Sequence, residues 1–315
     1  MPAGYPGELI PNSWWRQRIC AGSILTPVSR LLPSFFVIGP PRTGSSWLHE
    51  VLQKHTLLPR TLKETRFFDL QFHRGLRWYQ THYPRYVQTR PIGEIAPTYF
   101  VSAQARQRIA EIIPHARVVC IFRDPVERLF SLYRMKRAYG IIPWNFEQAL
   151  AKDPEFMDTS KYAEHLRAWQ QTLGTSQVLP VIYDDLRDEP QSFVDSIADF
   201  IGTPRFKLTP AQMGRVFASE SMTHPRNYSR TRRATKIANW FKVQRLGGVV
   251  AAVRRSPLMK FLLGGGKPFG ELPEQVSKML YESLRPEIEE LEAILKRDLS
   301  RWKNPCLVPS STSAD

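Results

Sequence analysis

Short apolar runs alternate with segments of helical spacing along the middle of the chain. The first run, residues 34–39, is rich in aromatic and β-branched residues and ends in glycine, which predicts a buried strand. A polar loop at 40–46 follows it, and residues 47–52 then place their apolar side chains at helical spacing. The pattern therefore predicts a strand, a loop and a helix in that order.

The same order occurs twice more. Residues 116–122 form a second apolar run, followed by an Arg-Asp-Pro turn and a segment of helical spacing. A third run at 177–183 leads into an amphipathic segment at 190–201, with Gly202 after it as a helix-ending residue. Strands that alternate with helices predict a parallel sheet with ligands at the carboxyl ends of its strands. We therefore predict an α/β fold: a single P-loop-like domain with a central parallel sheet flanked by helices.

Three other stretches break this order. Residues 1–33 are rich in Pro, Gly and Trp without periodicity, which predicts an N-terminal arm. Residues 233–268 mix Arg and Lys with Trp, Phe and Gly, which predicts a basic mobile excursion or lid. A last helical region spans 273–302, where Pro286 can reset the helix. The predicted organisation is an arm at 1–33, one domain at 34–302 and a disordered tail at 303–315.

Charge changes this picture, because the 315-residue chain is strongly basic. Lys and Arg outnumber Asp and Glu by 44 to 29, which gives a formal net charge of +15. Such an excess indicates an anionic partner. An acidic acceptor, a membrane surface and nucleic acid are all compatible with it, and so is a solvated basic surface without a specific partner.

The cysteines and the apolar runs bear on compartment. Cys20, Cys120 and Cys306 lie far apart without metal-ligand spacing, which argues against a disulfide framework and a zinc site. No segment approaches the roughly 18 consecutive apolar residues of a membrane span, and the N-terminus lacks a signal-peptide pattern. We therefore expect a cytoplasmic protein. A Golgi or membrane-anchored protein is the alternative if an anchor lies outside this sequence.

The loop at residues 39–46 is the first candidate anion site. A loop that leaves a strand and opens a helix presents free backbone N–H groups and the positive end of the helix dipole. This loop almost fits the Walker pattern G-x-x-x-x-G-K-[ST], but Ser45 occupies the lysine position. With its cation moved to Arg42, the loop is suited to a different leaving group from that of a kinase.

This loop resembles the phosphosulfate loop of the PAPS-dependent sulfotransferases at every position: Pro41-Arg42-Thr43-Gly44-Ser45-Ser46-Trp47. PAPS is 3′-phosphoadenosine 5′-phosphosulfate, the sulfuryl donor of that family. The resemblance implies that Arg42 contacts the bridging oxygen and the sulfonate, and that Trp47 stacks on the adenine. It also implies a set of residues that hold the 5′-phosphate: Thr43, Gly44, Ser45 and Ser46. An ordinary strand-to-helix turn is the alternative.

Two further segments resemble donor-binding elements of the same family. Arg123 opens an Arg-Asp-Pro turn with Ser131 eight positions later, as in the element that binds the 3′-phosphate. Arginine offers planar charged donors to a phosphate, and a serine on the next helix adds a hydroxyl from the same side. Tyr183 begins a segment similar to the family's Y-E-D-L, whose tyrosine contacts adenine. A buried tyrosine at the end of a strand is the alternative.

The candidate general base is Glu64. Residues 63–69 resemble the E-x-x-F-F-D segment of heparan-type and related bacterial sulfotransferases, whose glutamate is the proposed base. A base must lie within hydrogen-bond reach of the acceptor. The alternative is that Glu64 pairs with Lys63 or Arg66 on a surface loop. His82 is the second candidate for the base.

One position departs from the heparan-type pattern. Residues 93–100 resemble the G-E-K-[ST]-P-x-Y segment of this branch, but Ile95 replaces a lysine thought to assist the sulfonate. That assistance is therefore missing or comes from another residue, for which Lys63 is a candidate. The departure argues against a heparan substrate specifically, and it leaves the acceptor open among carbohydrates, lipids and small molecules.

The basic run at 224–233 occupies the place where relatives close a loop over the donor's 3′-phosphate. Arg230, Arg232 and Arg233 are the candidates for that contact. The alternative is that all three are solvated.

These segments together predict a sulfotransferase that moves a sulfuryl group from PAPS to a hydroxyl or amine by in-line displacement. The product would be PAP (3′-phosphoadenosine 5′-phosphate), with no metal required. Peripheral membrane contact is compatible with the charge, and no nucleic-acid partner is expected. Two alternatives are a P-loop nucleotide kinase, disfavoured by the missing Walker lysine, and a basic protein that binds membrane surfaces or polyanions.

Overall fold

The sheet is entirely parallel. A computed structural model describes residues 32–84, 90–213, 222–243 and 266–303. Within these ranges four strands pair in the order β2-β1-β3-β4. Their bounds are β1 (Phe35–Ile38), β2 (Gly93–Ile95), β3 (Arg117–Phe122) and β4 (Val178–Ile182). The predicted α/β fold with a central parallel sheet is confirmed.

Helices connect the strands and cover the sheet. In chain order they are α1 (Ser45–Leu52), α2 (Gly75–Gln80), α3 (Ala103–Ile112), α4 (Pro125–Ala138), α5 (Phe146–Lys152), α6 (Glu155–Asp158), α7 (Tyr162–Leu173), α8 (Tyr183–Asp188), α9 (Pro190–Ile201), α10 (Pro210–Met213), α11 (Tyr228–Val243) and α12 (Glu274–Leu295). A π-helical turn at Phe67–Gln71 and short 3₁₀ turns at Phe72–Arg74, Pro97–Tyr99, Thr175–Gln177 and Ser300–Trp302 complete the described elements.

Two hydrophobic cores lie on the two faces of the sheet. On β1, Phe36 and Ile38 belong to the larger core, and Phe35 and Val37 belong to the smaller one. Helices α7 and α12 contribute to the larger core, while α1 and α9 contribute to the smaller one. Because both faces are covered, the strands read as continuous apolar runs rather than as alternating ones.

The sequence pattern located three of the four described strands and four of the helices. Strands β1, β3 and β4 lie inside the three predicted runs, and α9 has its predicted bounds, with Gly202 after it at φ +77°. Strand β2 was not predicted. Helix α12 passes Pro286 without ending, because apolar residues on both sides of the proline, among them Leu284 and Ile288, are buried against the same core.

The segment predicted as a basic excursion or lid begins in a helix. Residues 233–243 lie in α11, which starts at Tyr228. Asn227 caps its first turn, because the Oδ1 of Asn227 accepts a hydrogen bond from the backbone N–H of Arg230 (3.0 Å). The Thr235 hydroxyl also donates to the carbonyl of Tyr139 (2.8 Å), which docks α11 on the end of α4. The first residues of the predicted excursion or lid, 233–243, are therefore helical, and the excursion or lid at 233–268 stays a prediction.

Parts of several predictions lie outside the described residues. These parts are 1–31 of the predicted arm, 244–265 of the predicted excursion and 304–315 of the predicted tail. Cys120 is a buried free thiol in β3, whereas Cys20 and Cys306 also lie outside. Among the helices of the described ranges, none has the length and apolar character needed to cross a lipid bilayer.

Candidate active site

The carboxyl ends of β1, β3 and β4 lie side by side at one edge of the sheet. Ile38 pairs with Cys120, and Phe122 pairs with Ile182. The segments that follow these strands carry Arg42, Arg123 and Tyr183, so the three predicted donor-binding elements meet at this edge. Open parallel sheets bind their ligands at this position.

The first loop is shaped by tight backbone turns. Gly44 has φ +86°, and a Cβ on it would lie 3.1 Å from the ring of Tyr183. Arg42 itself has φ +79°, a conformation that few residues other than glycine adopt. The Thr43 hydroxyl donates to the carbonyl of Pro40 (3.0 Å) and braces the turn. The close fit of Gly44 against Tyr183 joins the first loop to the end of β4.

The first turn of α1 opens directly from this loop. The N-cap, Gly44, supplies no side-chain cap, and the first helical hydrogen bond runs from the N–H of Leu48 to the carbonyl of Gly44 (3.1 Å). The N–H groups of Ser45, Ser46 and Trp47 therefore have no acceptor inside the helix. Together with the helix dipole, they suit a bound anion such as the predicted 5′-phosphate.

Arg42 links the first loop to α4. Its Nε donates a hydrogen bond to the Oγ of Ser131 (3.0 Å), although the two residues are 89 positions apart. The structure thus brings together the cation of the predicted phosphosulfate loop and the serine of the predicted 3′-phosphate element. The sequence motifs predicted both residues, but not their contact.

Arg123 lies over the aromatic ring of Tyr183, with its guanidinium carbon 4.7 Å from the ring centroid. Its Nη2 donates to the carboxylate of Glu127 (2.9 Å). Among the described residues, its buried Nε has no hydrogen-bond partner. A buried charged donor without an acceptor is costly, so an anion at this position would stabilise it.

The charges at this edge favour an anionic ligand. Burial lowers the pKa of Arg42, and the neighbouring charge of Arg123 lowers it further. Burial also opposes the charge of Arg123, but the Glu127 carboxylate and Tyr183 raise the pKa of Arg123 above its ordinary value. Both arginines stay charged at neutral pH. Their mutual repulsion would be relieved by a bound phosphate.

Asp124 fixes the start of α4. Its Oδ1 accepts from the backbone N–H groups of Val126 (2.9 Å) and Glu127 (3.0 Å), and its Oδ2 accepts from the hydroxyl of Tyr281 (2.9 Å). Burial, followed by the charge of Glu127, raises the pKa of Asp124 to about 7. The cap orients the helix that carries Ser131.

Trp47 is held inside the smaller core. Its ring is 8 % exposed, and its Nε1–H donates to the carbonyl of Gln212 (2.7 Å). The side chain therefore anchors α1 to the segment before α11. Stacking of Trp47 on adenine stays a prediction.

Glu64 and Lys63 lie beside the first loop. The Nζ of Lys63 donates to the Oγ of Ser46 (2.8 Å) and lies 3.7 Å from the Oε1 of Glu64. The Glu64 side chain is 30 % exposed, so a substrate can reach it. The predicted pairing of Glu64 with Lys63 is present, whereas Arg66 pairs with Asp69 (2.7 Å).

A buried carboxylate behind this loop was not predicted as a site residue. Glu94, at the centre of β2, is fully buried and accepts hydrogen bonds from the N–H (2.8 Å) and hydroxyl (2.6 Å) of Thr65. The hydroxyl of Tyr79 also donates to it (2.7 Å). Burial raises the pKa of Glu94 despite these bonds. Since Thr65 follows Glu64, the network fixes the backbone beside the candidate base. An acidic residue inside an apolar strand is the signal that could have revealed it.

Two other predicted residues lie away from the reacting groups. The Ile95 side chain is apolar and fully buried in the smaller core, so it offers a sulfonate neither charge nor hydrogen bond. His82 is 1 % exposed, and its Nδ1 forms a hydrogen bond with the Thr61 hydroxyl. Burial makes His82 unsuitable as a base for an external acceptor.

Arg128 is a second residue that sequence reasoning missed. It is fully buried, and its guanidinium donates to the hydroxyls of Tyr162 (2.9 Å) and Ser160 (2.6 Å). It also reaches the carbonyl of Pro41 (3.5 Å) in the first loop, and the Tyr162 hydroxyl donates to the carbonyl of Arg123 (3.0 Å). Arg128 therefore supports both segments that are predicted to bind phosphate. Nothing in the sequence around Arg128 marks this role, which becomes visible only when the fold shows its partners.

The three arginines of the basic run lie on α11. Arg230, Arg232 and Arg233 are all exposed. A contact of one of them with the 3′-phosphate stays a prediction.

Comparison with known families agrees with this geometry. Residues 32–245, more than half of the chain, match the model of the sulfotransferase domain. The chain therefore belongs to the sulfotransferase family.

The curated relatives come from the heparan-type branch that the motifs indicated. A bifunctional heparan sulfate N-deacetylase/N-sulfotransferase 4 of Mus musculus is 28% identical over 222 residues, which are 63% of this chain and 24% of the relative. Heparan sulfate glucosamine 3-O-sulfotransferase 3A1 of Mus musculus is 29% identical over 191 residues, 58% of this chain and 49% of the relative. The match thus spans about a quarter of the length of the first relative and about half of the second.

A solved sulfotransferase from Alicyclobacillus acidocaldarius has the same fold. It superposes with a TM-score of 0.62 at 19% sequence identity, covering 87% of this chain and 99% of the other.

Proposed function

We propose that this protein transfers a sulfuryl group from PAPS to a hydroxyl or amine of an acceptor. The observation that carries the proposal is the hydrogen bond between Arg42 and Ser131, which closes the two predicted phosphate-binding segments into one site. The family model supports the same chemistry. The lack of a lysine at Ser45 supports it over phosphoryl transfer.

The residues of the site suit the two ends of the donor. The N–H groups at the start of α1 would hold the 5′-phosphate, with Arg42 at the oxygen that bridges phosphorus and sulfur. Arg123 and Ser131 would hold the 3′-phosphate, since the Nε of the guanidinium has no acceptor among the described residues. Tyr183, which lies between the Arg123 guanidinium and Gly44, would contact the nucleoside.

Glu64 would act as the general base. It is partly exposed, lies next to the first loop through Lys63, and is held in place by the Thr65–Glu94 hydrogen bonds. In the transfer, the acceptor hydroxyl or amine loses its proton to the Glu64 carboxylate and forms a bond to sulfur. The bond between sulfur and the bridging oxygen breaks, and its electron pair leaves with the phosphate of PAP. The cations around the loop stabilise that charge.

A carbohydrate acceptor is favoured by the two relatives, whose names state that they act on heparan sulfate. A cavity of about 550 Å³ next to Lys63 supports this choice, because polar groups such as those of Gln53 and Thr61 line it. Its charged side chains are cationic: Arg60, Lys63 and Arg90. Burial and the charge of Lys63 lower the pKa of His49 in this cavity to about 4, so His49 is neutral at pH 7. An acceptor with hydroxyl groups and a negative charge fits such a lining.

Removing either donor-binding arginine should weaken nucleotide binding. Arg42→Ala and Arg123→Ala are each expected to weaken PAP binding by more than about 1.5 kcal/mol, the scale of one charged hydrogen bond. Isothermal titration calorimetry with PAP measures this directly. Arg205→Ala is the matched control, because Arg205 is exposed and pairs only with Asp199 among its described contacts. Wild-type PAP affinity in both site variants would contradict the proposed donor site.

A further inference from the structure

Lys63 lies between the first loop (residues 39–46), which we call the donor loop, and the candidate base Glu64. Its ammonium donates to the hydroxyl of Ser46, at the start of α1, across 2.8 Å. The same ammonium is 3.7 Å from the carboxylate of Glu64. A group transferred from the donor loop to an acceptor activated by Glu64 must pass close to this ammonium.

The surroundings of Lys63 differ from those of an ordinary surface ion pair. The side chain is 36 % exposed, and burial is the main cause that lowers the pKa of Lys63. Glu64 opposes this change, whereas the charge of Arg42 adds to it. A partly desolvated ammonium near a second cation is suited to an anionic ligand, because the attraction is stronger where water is excluded.

Two other residues near the donor loop, Arg42 and Ile95, have different surroundings from Lys63. Arg42 donates to Ser131 and faces the side of Arg123, where the nucleotide phosphates are proposed to bind. Ile95 is apolar and buried in the smaller core. Arg42 is proposed to reach the bridging oxygen, and Lys63 is a second cation, which the described contacts place next to Ser46 and Glu64.

We propose that Lys63 is a catalytic residue that binds the sulfuryl oxygens of the donor and supplies the positive charge that position 95 lacks. This inference rests on the proposed function. As the acceptor oxygen or nitrogen bonds to sulfur and the bridging oxygen leaves with the electron pair, negative charge shifts among the oxygens around sulfur. The Lys63 ammonium stabilises those oxygens without exchanging a proton. The acceptor proton goes to Glu64, and the products are the sulfated acceptor and PAP.

The first experiment compares PAPS with PAP, because PAP lacks the sulfuryl group. Calorimetric titration of Lys63→Met should show PAPS affinity lowered about tenfold, the effect of one charged hydrogen bond, with PAP affinity near the wild-type value. Lys63→Arg should recover part of the PAPS affinity. Lys207→Met is the control for a lost positive charge, since Lys207 is exposed outside the site.

The second experiment measures single-turnover transfer from radiolabelled PAPS to de-N-sulfated heparan sulfate, a probe that offers both amines and hydroxyls. Lys63→Met should lower the transfer rate about 100-fold, as expected for the loss of one group that stabilises a developing charge. Lys63→Arg should be faster than Lys63→Met. If the wild-type enzyme does not use this probe, the comparison of PAPS with PAP decides alone.

Two results would overturn the role of Lys63. One is an equal loss of PAP and PAPS affinity in Lys63→Met, which would show that Lys63 only tethers the loop through Ser46. The other is wild-type PAPS affinity in Lys63→Met, together with a wild-type transfer rate if the enzyme uses de-N-sulfated heparan sulfate. Failure of the proposed function looks different, because the wild-type protein itself would then bind neither nucleotide.

Discussion

Replacement of Glu64 with Gln is expected to lower the rate of sulfuryl transfer about 10³-fold, within the usual range for loss of a general base. The amide keeps the size of the carboxylate but cannot accept the acceptor's proton. PAP affinity should stay near the wild-type value, because the described contacts link Glu64 to the donor loop through Lys63. Single-turnover transfer and calorimetry with PAP give the two quantities.

The control for this experiment is Glu111→Gln, which removes an exposed carboxylate on α3 whose described partner is Gln107. It should transfer at the wild-type rate. If Glu64→Gln retains more than about a tenth of the wild-type rate, the loss is too small for the general base, and another group has that role.

Replacement of Arg128 with Met is expected to lower the free energy of unfolding by about 3 kcal/mol, because several buried acceptors lose a charged donor at once. The hydroxyls of Ser160 and Tyr162 and the carbonyls of Pro41 and Phe156 would lose this partner. Methionine fills much of the volume of the arginine side chain, so the lost free energy of unfolding reflects the missing polar contacts rather than a cavity. Urea unfolding followed by tryptophan fluorescence measures the change.

Arg285→Met is the matched control, since Arg285 is exposed on α12. It should unfold at the wild-type urea concentration. A change below about 1 kcal/mol for Arg128→Met would mean that the desolvation cost of the guanidinium cancels its hydrogen bonds. In that case Arg128 would not hold the two phosphate-binding segments together.

The parts of the fold that the sequence predicted are those defined by local pattern. β1 and β3 are buried on both faces, so they appear as uninterrupted apolar runs, and α9 has a regular apolar stripe with a glycine after it. The residues predicted to bind the donor follow these strands directly. Once the strands are placed in a parallel sheet, their adjacency follows from the topology.

The parts that the sequence did not predict depend on contacts between distant residues. Strand β2 has three residues, too few to show a periodicity, and it is defined by pairing with β1. Arg128 has the same local context as any arginine on a helix, and its role arises from partners up to 87 positions away. The bond from Lys63 to Ser46 likewise spans 17 positions across a loop without regular structure. Local patterns carry no information on such pairs.

We propose that the site at the strand ends binds a nucleotide with a 3′-phosphate and a 5′-phosphosulfate. The most direct test is a calorimetric comparison of wild-type protein titrated with PAP in EDTA and with ATP in the presence of magnesium. We predict that PAP binds without metal and at least about tenfold more tightly than ATP with magnesium, because the contacts of Arg123 and Ser131 need a 3′-phosphate. Tighter binding of magnesium-ATP, or no binding of PAP in EDTA, would contradict the account.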